Sequence, residues 1–421
     1  MKTIKGRERA DFIKGTSSSE IILGLGGNDL INAGGGDDQV SGGNGNDSIH
    51  GGTGNDTLSG DAGDDSVFGD NGDDKISGGI GNDRLYGGDG NDTLADISGR
   101  DTFTGGSGFD VVDYSASKSA RGVDVFLHLG HGGRDALGDH YAGIEGAIGT
   151  NAQDFLWGDN NANVFTGLNG NDFMRAFSGD DTFYGGAGND QMHGDDGNDT
   201  FFLGTDSDIA DGGAGMDWVN MGLEKVGVTF SYSANTFTGD VQLFNGSIGD
   251  QAYGVEGLRG TGFDDTLDLA GRATVGFMSF YVLDGGAGND QLTGAALYYG
   301  GLGEDTIHLS TGAISVAETV ALQLDMGFDK ISSFDASTGD RLQVSLSEFG
   351  IGGTTASPVF NWVNSTDAPV ALTPGAAFIY ETTTHVLWFD ADGTDAGVPI
   401  AVAGFYAPVA APVAADLLFV A

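Results

Sequence analysis

A nine-residue period constrains the fold of this chain more than any other feature of its sequence. Aspartate occurs at every ninth position from residue 29 to residue 110, with glycine two residues before it and an apolar side chain two residues after it. The ten aspartates are Asp29, Asp38, Asp47, Asp56, Asp65, Asp74, Asp83, Asp92, Asp101 and Asp110. A period of this length predicts a repeat architecture in which each unit is stabilised by stacking on its neighbours.

The period is interrupted and then returns in a weaker form. It resumes from residue 149, and later copies place an aspartate in the same position of the motif. The later candidates are Asp172, Asp181, Asp190, Asp199, Asp217 and Asp290. The glycine is replaced by Ala152, Asn161 and Asp206, which weakens the prediction of a site beside each of them.

The repeat itself predicts turns and short strands. Copies such as GGNGNDSIH and GGTGNDTLS contain glycines that disfavour a helix, and they have no apolar spacing of three or four. The GGxGxD stretch is expected to be turn, followed by a three-residue strand whose middle side chain points inward. Two copies would make an 18-residue coil with a thin core between two parallel sheets. The expected fold class is all-β, with parallel β-roll or β-helix solenoid blocks, β inserts and a C-terminal β domain.

Changes along the sequence predict the domain boundaries. Two segments between the repeats resemble each other, since one contains GDHYAGIEG and the other GDQAYGVEG, and the period ends near residue 315, where strand-length apolar runs replace it. The predicted parts are an N-terminal cap with the first roll (1–113), a β insert (114–148), a second roll (149–220), a second insert (221–259), a degenerate third block (260–314) and a C-terminal β domain (315–421).

The charge of the chain indicates what the aspartates bind. The chain has 61 acidic against 17 basic residues, a formal charge of -44 and no cysteine, which excludes a basic nucleic-acid-binding face and a disulfide scaffold. Stacked coils would align the carboxylates at roughly 4.8 Å, where they repel each other unless a cation lies between them. Carboxylate and carbonyl oxygens are ligands for Ca²⁺, and seven scattered histidines without cysteine argue against zinc or copper. We therefore predict multiple Ca²⁺ ions between successive turns.

The repeats resemble a known family. GGNGNDSIH and its relatives are similar to the RTX nonapeptide of hemolysin-type calcium-binding proteins, and FDKISSFDASTGDRLQVS resembles the domain attached to type I secretion signals. The resemblance implies β-rolls that fold on Ca²⁺ outside the cell, with ligand positions from Asp38 to Asp110 and from Asp172 to Asp199. It also implies export by an ABC transporter, an adaptor and an outer-membrane channel that read an uncleaved C-terminal signal. A secreted or surface-associated protein of a Gram-negative bacterium is expected.

The sequence leaves enzymatic activity open. No HExxH, GxSxG or P-loop motif occurs, and no apolar stretch is long enough for a transmembrane segment. The N-terminus lacks the apolar centre of a signal peptide, and repeats from about residue 11 are expected to leave no room for a preceding enzyme domain. We expect a non-enzymatic role at the cell surface, in adhesion or in a matrix.

A glycan-directed function is the alternative. Outward positions of the second block carry aromatic residues that could bind a sugar, or that the inserts or the C-terminal domain could cover. These residues are Phe155, Trp157, Phe173, Tyr184 and Phe202. They would serve a polysaccharide-active enzyme or a glycan-binding module, with a cell-surface glycan as the partner. His128, His131 and His140 could form a zinc or catalytic site, or be ordinary hydrogen-bonded side chains.

Overall fold

The structure is a computed structural model. It describes residues 1–96, 98–118, 120–223, 229–231, 241–243, 250–268, 282–293, 297–309, 319–322, 329–332, 341–345, 359–363, 377–381, 386–390, 400–406 and 417–420. The chain divides into two compact units, Met1–Gly215 and Met216–Ala421. Much of the predicted second insert (221–259) and of the predicted C-terminal domain (315–421) lies outside the described residues.

The first unit is built from short strands, about one for each nonapeptide. They are β1 Lys2–Lys5, β2 Phe12–Lys14, β3 Glu20–Gly26, β4 Leu30–Gly35, β5 Gln39–Asn44, β6 Ser48–Thr53, β7 Thr57–Ala62, β8 Ser66–Asn71, β9 Lys75–Ile80, β10 Arg84–Asp89, β11 Thr93–Ala95, β12 Thr102–Ser107, β13 Val111–Asp113, β14 Val123–Phe126, β15 His131–Arg134, β16 His140–Ala142, β17 Gly146–Ile148, β18 Phe155–Trp157, β19 Val164–Asn169, β20 Phe173–Arg175, β21 Thr182–Ala187, β22 Gln191–Asp196, β23 Thr200–Thr205 and β24 Ile209–Ala214. A 3₁₀ turn spans Leu127–Leu129.

Successive strands alternate between two parallel sheets. Strand β6 pairs with β8, which places Ile49 beside Val67, and β5 pairs with β7 in the other sheet. Each partner lies eighteen residues further along the chain, so the predicted two-repeat coil is confirmed. The apolar position of every repeat faces the space between the sheets, and both Ile49 and Val67 are 0% exposed.

Most repeat strands are longer than predicted. Strand β6 contains Gly51 and Gly52 as well as the three residues assigned to it from the sequence. The prediction that the whole GGxGxD stretch is turn was therefore wrong, because the glycine pair continues the ladder and Gly52 pairs with Asp70. Gly52 does so with a φ of 109°, a conformation that glycine adopts without strain.

The first insert continues both sheets instead of leaving the solenoid. Strands β14 and β15 form an antiparallel hairpin, while β14 pairs in parallel with β18 and β16 pairs in parallel with β12. In the other sheet β17 pairs with both β13 and β19. The insert is therefore a modified pair of coils that connects the first and second repeat blocks.

The second unit also consists of strands. They are β25 Trp218–Asn220, β26 Thr229–Ser231, β27 Val241–Leu243, β28 Asp250–Tyr253, β29 Gly257–Arg259, β30 Thr266–Asp268, β31 Val282–Asp284, β32 Gln291–Thr293, β33 Leu297–Tyr299, β34 Thr306–His308, β35 Thr319–Leu322, β36 Asp329–Ser332, β37 Arg341–Ser345, β38 Val359–Val363, β39 Ala377–Glu381, β40 Val386–Asp390, β41 Ile400–Tyr406 and β42 Leu417–Val420. Parallel pairing runs from β29 through β31, β33, β35 and β37 to β42. Strands β39, β40 and β41 are antiparallel neighbours.

The described strands of both units agree with the predicted all-β class and its parallel solenoid blocks. Within the described residues, no helix combines the length and apolar character required to cross a bilayer. The domain boundaries drawn from the sequence remain predictions.

Candidate metal centres

The sixteen predicted aspartates all lie inside the solenoid. Each is at most 3% exposed, although an isolated carboxylate is among the groups least suited to burial. Each follows a glycine turn and precedes the strand that carries the inward apolar residue, so its side chain lies under the turn at the edge of the core. The repeat thus places the carboxylates in two columns, one along each edge.

One oxygen of each repeat carboxylate is held by the neighbouring coil. The Oδ1 atom of Asp65 accepts the backbone N–H of Asp47 at 2.6 Å, and the Oδ1 atom of Asp83 accepts that of Asp65 at 2.6 Å. The same bond links residues eighteen apart from Asp11 to Asp110, and from Asp154 to Asp208 in the second block. Asp199 accepts from Asp181, and Asp290 accepts from Asp265. Because Oδ1 is fixed in this way, the direction of Oδ2 is fixed too.

The second oxygen has no hydrogen-bond donor in the central repeats. The Oδ2 atoms that are buried and without a hydrogen bond include those of Asp29, Asp38, Asp47, Asp56, Asp65, Asp74, Asp92, Asp110, Asp172, Asp190 and Asp290. A buried carboxylate oxygen without a partner is costly, so a group that occurs in nearly every coil requires a compensating ligand.

The space that Oδ2 faces is lined by oxygen. A Cβ atom added to Gly60 would lie within 3.0 Å of Asp65 Oδ2 and 2.7 Å from the backbone carbonyl oxygen of Gly78 in the next coil. Glycine is required there because any side chain would fill the space between these two oxygens. Carboxylate and carbonyl oxygens together are the donor set of a Ca²⁺ site, and the residues present fit that ion.

Burial also changes the acidity of these carboxylates. It raises the pKa of Asp65 and Asp74 to about 7, and that of Asp172 and Asp290 to about 8, partly offset by the backbone N–H bond that each accepts. The charged form is disfavoured because it lacks solvent and a counter-charge. A bound cation would supply the counter-charge and restore the ionised form.

A second ladder, missed by the sequence analysis, runs along the outside of the turns. The residue before each repeat aspartate is usually Asn or Asp, and its Oδ1 accepts a backbone N–H eighteen residues later. Asn55 accepts from Asp73 at 3.1 Å, and Asp73 accepts from Asn91 at 2.8 Å. This ladder points in the opposite direction to the buried one. The regular Asn or Asp at this position was the signal that could have predicted it.

At the block ends, the carboxylate oxygen that has no donor in the central repeats accepts a hydrogen bond from the protein. Asp139 of the first insert accepts the Asp101 N–H through Oδ1, and its Oδ2 accepts the hydroxyl of Tyr114 at 2.6 Å. Asp154 begins the second block, and its Oδ2 accepts the backbone N–H of Thr150 at 2.6 Å, while the Thr150 hydroxyl donates to Oδ1 at 3.0 Å. These carboxylates are satisfied by the protein alone, in contrast to those of the central repeats.

The ladder also continues where the motif is degraded or interrupted. Asp208 accepts the Asp190 N–H at 2.8 Å, although Asp206 replaces the glycine of that turn and has a φ of 80°. Glu145 accepts the Asp110 N–H through Oε2, and Glu256 does the same for Asp217. The two glutamates escaped the sequence analysis because the inserts place them 35 and 39 residues after their partners. The signal was the IEG or VEG sequence in each insert.

The aromatic residues of the second block contact each other and the insert. Tyr184 and Phe202 stack face to face with ring centroids 4.6 Å apart. The guanidinium of Arg134, from the insert, lies 4.4 Å from the centre of the Phe155 ring, and Phe126 of the insert contacts Trp157 edge to face.

The three histidines considered from the sequence do not form a metal-binding group, although His131 and His140 are cross-strand partners. In the described part of the chain, the only group of three His, Cys, Asp or Glu side chains within metal-binding reach consists of aspartates. The ring of His128 instead stacks on Trp157 at 5.9 Å.

Fold and site together define a parallel β-roll with columns of buried carboxylates along its edges. The family model for the RTX calcium-binding nonapeptide repeat matches residues 14–49, 41–76, 68–95, 77–112, 147–174, 157–192, 175–210, 193–222 and 282–296. The chain therefore contains RTX repeats over these ranges, and they are of a calcium-binding type. The matched ranges include all sixteen predicted aspartates.

Comparison with individual proteins adds little to this assignment. No curated protein matches the chain. Among solved structures, the extracellular lipase LipA from Serratia marcescens is 16% identical with a TM-score of 0.21, and the match covers 65% of this chain and 40% of the lipase. The chain thus corresponds to less than half of the length of that lipase, and a likeness at this TM-score carries no argument about activity.

Proposed function

We propose that this protein is a secreted calcium-binding RTX protein whose repeat blocks fold when they bind extracellular Ca²⁺. The observation that carries the proposal is the buried Oδ2 atom, repeated along both edges without a donor and facing a backbone carbonyl. Asp29, Asp38, Asp47, Asp56, Asp65, Asp74, Asp83, Asp92, Asp101, Asp110, Asp172, Asp181, Asp190, Asp199, Asp217 and Asp290 are the proposed ligands.

The charge of the chain supports coupling between folding and ion binding. At a formal charge of -44, the metal-free chain repels itself, and the folded form must also bury unpaired carboxylates. Ions that bind only the folded state add their binding free energy to its stability. Extracellular calcium modules have dissociation constants of about 10⁻⁴ to 10⁻³ M, so the chain would stay unfolded in the cytosol and fold outside.

The proposed biological role is non-enzymatic, at the cell surface, in adhesion or in a matrix. The ring contacts of Phe155 and Phe173 support this choice over a glycan-binding surface. Phe155 contacts both the Arg134 guanidinium and the Phe173 ring, and Phe173 also contacts the ring of His193. Sugar stacking needs an open ring face. Export through an ABC transporter, an adaptor and an outer-membrane channel is proposed from the resemblance of the C-terminal sequence alone.

A calcium titration of the full chain tests the folding proposal. Far-UV circular dichroism in chelator should show mostly coil, and millimolar Ca²⁺ should produce β structure cooperatively. Mg²⁺ at the same concentration should fail, because it demands octahedral geometry and retains its waters. A chain that is fully folded in chelator, or that folds equally with Mg²⁺, would refute the proposal. Binding or cleavage of acidic polysaccharides by the folded protein would instead support the glycan alternative.

A further inference from the structure

One buried group of carboxylates departs from the repeat pattern. Asp96 stands where the motif has its first glycine, five residues before the repeat aspartate Asp101. Asp83, Asp96 and Asp101 are each 1% exposed, and one carboxylate oxygen from each lies within 4.8 Å of the others. Two of the three belong to the regular column, and Asp96 is the additional member.

Asp96 adds its carboxylate where other coils have a backbone carbonyl. A Cβ atom on Gly60 would meet a repeat carboxylate and the carbonyl oxygen of the next coil. A Cβ atom on Gly78, one coil later, would meet Asp83 Oδ2 at 2.5 Å and Asp96 Oδ2 within 3.0 Å. The extra carboxylate therefore lies in the space assigned above to a cation.

The Oδ1 atoms of the three carboxylates accept backbone hydrogen bonds and are therefore directed away from the proposed cation position. Asp83 Oδ1 accepts the Asp65 N–H at 2.6 Å, and Asp101 Oδ1 accepts the Asp83 N–H at 2.7 Å. The backbone N–H of Ser98 donates to Asp96 Oδ1 at 3.1 Å. Asp83 Oδ2 is buried and directed into the group, and its only hydrogen-bonding neighbour there is the carboxyl of Asp96. Two buried carboxylates that face each other in this way need either a shared proton or a cation between them.

We propose that Asp83, Asp96 and Asp101 form a three-carboxylate cation site with a higher affinity than the repeat sites of the first block. The proposal rests on the proposed calcium binding of the repeats and adds a ranking to it. The number of charged ligands tunes the affinity of oxygen-ligand sites, and a third carboxylate strengthens the attraction further for a trivalent ion. This site should therefore be the first to exchange Ca²⁺ for a lanthanide.

Terbium exchange in the calcium-loaded full chain provides the test. Tb³⁺ is added in steps to protein in saturating Ca²⁺, and bound metals are measured by mass spectrometry after gel filtration. The wild type should take up one Tb³⁺ per chain at a concentration at least about tenfold below that needed for the remaining sites. Asp96→Gly restores the glycine of the repeat and should remove this first step, and Asp96→Asn should remove it while keeping the side-chain volume.

The control is Asp89→Asn, which removes an exposed carboxylate from the preceding nonapeptide and should leave the first step unchanged. The site would be overturned if Tb³⁺ replaced Ca²⁺ uniformly in the wild type, or if Asp96→Asn retained the tight step. A wild-type chain that bound no Ca²⁺ at all would overturn the proposed function as well. Circular dichroism in Ca²⁺ checks that each variant is folded, and either variant suffices for the test.

Discussion

Replacing Asp65 with asparagine separates the two oxygens of a repeat carboxylate. The asparagine side chain retains an Oδ1 atom that can accept the Asp47 N–H, which Asp65 now accepts at 2.6 Å. It exchanges the charged Oδ2 for an amide NH₂ group, whose nitrogen cannot ligate Ca²⁺. Asp65→Asn therefore keeps the backbone contact between coils and removes one proposed metal ligand.

Asp65→Asn should destabilise the folded protein in Ca²⁺ but not in chelator. Loss of one charged ligand should weaken the affected site about 10- to 100-fold, which corresponds to roughly 1.4 to 2.8 kcal/mol of calcium-linked folding free energy. In chelator at pH 8, the variant should be at least as stable as the wild type, because burial raises the pKa of Asp65 to about 7 and makes its charged form unfavourable. Asp65→Ala should cost about 1 to 3 kcal/mol more than Asp65→Asn, because it leaves the buried Asp47 N–H without an acceptor.

Circular dichroism during calcium titration, together with urea unfolding in saturating Ca²⁺ and in chelator, measures these effects. The matched control is Asp64→Asn, since Asp64 is exposed and its Oδ1 accepts the Asn82 N–H, a role that asparagine can fill. An Asp65→Asn protein with the calcium midpoint of the wild type would show that this carboxylate is not a ligand, and the reasoning from the open Oδ2 atoms would fail.

Three further outcomes follow. Burial raises the pKa of Asp65 to about 7 and that of Asp172 to about 8, so the metal-free folded state binds more protons than the unfolded state between about pH 4 and 8. The β structure in metal-free buffer should therefore increase as the pH falls from 8 to 5.5. A decrease measured by circular dichroism would contradict this prediction. Thr150→Val should lower stability in saturating Ca²⁺ by about 1 kcal/mol in urea unfolding, without changing the number of ions bound. Deleting residues 361–421 should abolish type I secretion, while the unit Met1–Gly215 of the shortened chain should still bind Ca²⁺ in vitro. Undiminished secretion of the shortened chain without cell lysis would disprove the C-terminal signal.

The regular part of the solenoid could be predicted from the sequence because the aspartate, the glycine two residues before it and the apolar residue two residues after it recur in every repeat from residue 29 to residue 110. The period gave the 18-residue coil and the inward position of residues such as Ile49 and Val67. It also predicted that aspartates such as Asp65 form columns, since stacking identical coils leaves them no other arrangement.

The irregular parts could not be predicted because local spacing no longer fixes the register there. Asp139 lies 38 residues after Asp101, so only the path of the insert shows that it occupies the next ladder position. The protein donors to Asp139 and Asp154 come from Tyr114 and Thr150, which no repeat position marks. Asp96 reads in the sequence as a lost glycine, and its proximity to Asp83 becomes apparent only when the coils are stacked.

The two opposed hydrogen-bond ladders determine how such a molecule can change its length. In each inner coil one backbone N–H donates to a side-chain oxygen of the coil ahead, and another donates to a side-chain oxygen of the coil behind. An added or deleted 18-residue coil therefore leaves every contact at the block ends unchanged. Adding or deleting a single nonapeptide would instead move all later repeats to the opposite edge of the solenoid and would bring β16 beside the wrong sheet. Block length is therefore expected to vary in even numbers of repeats wherever an insert follows.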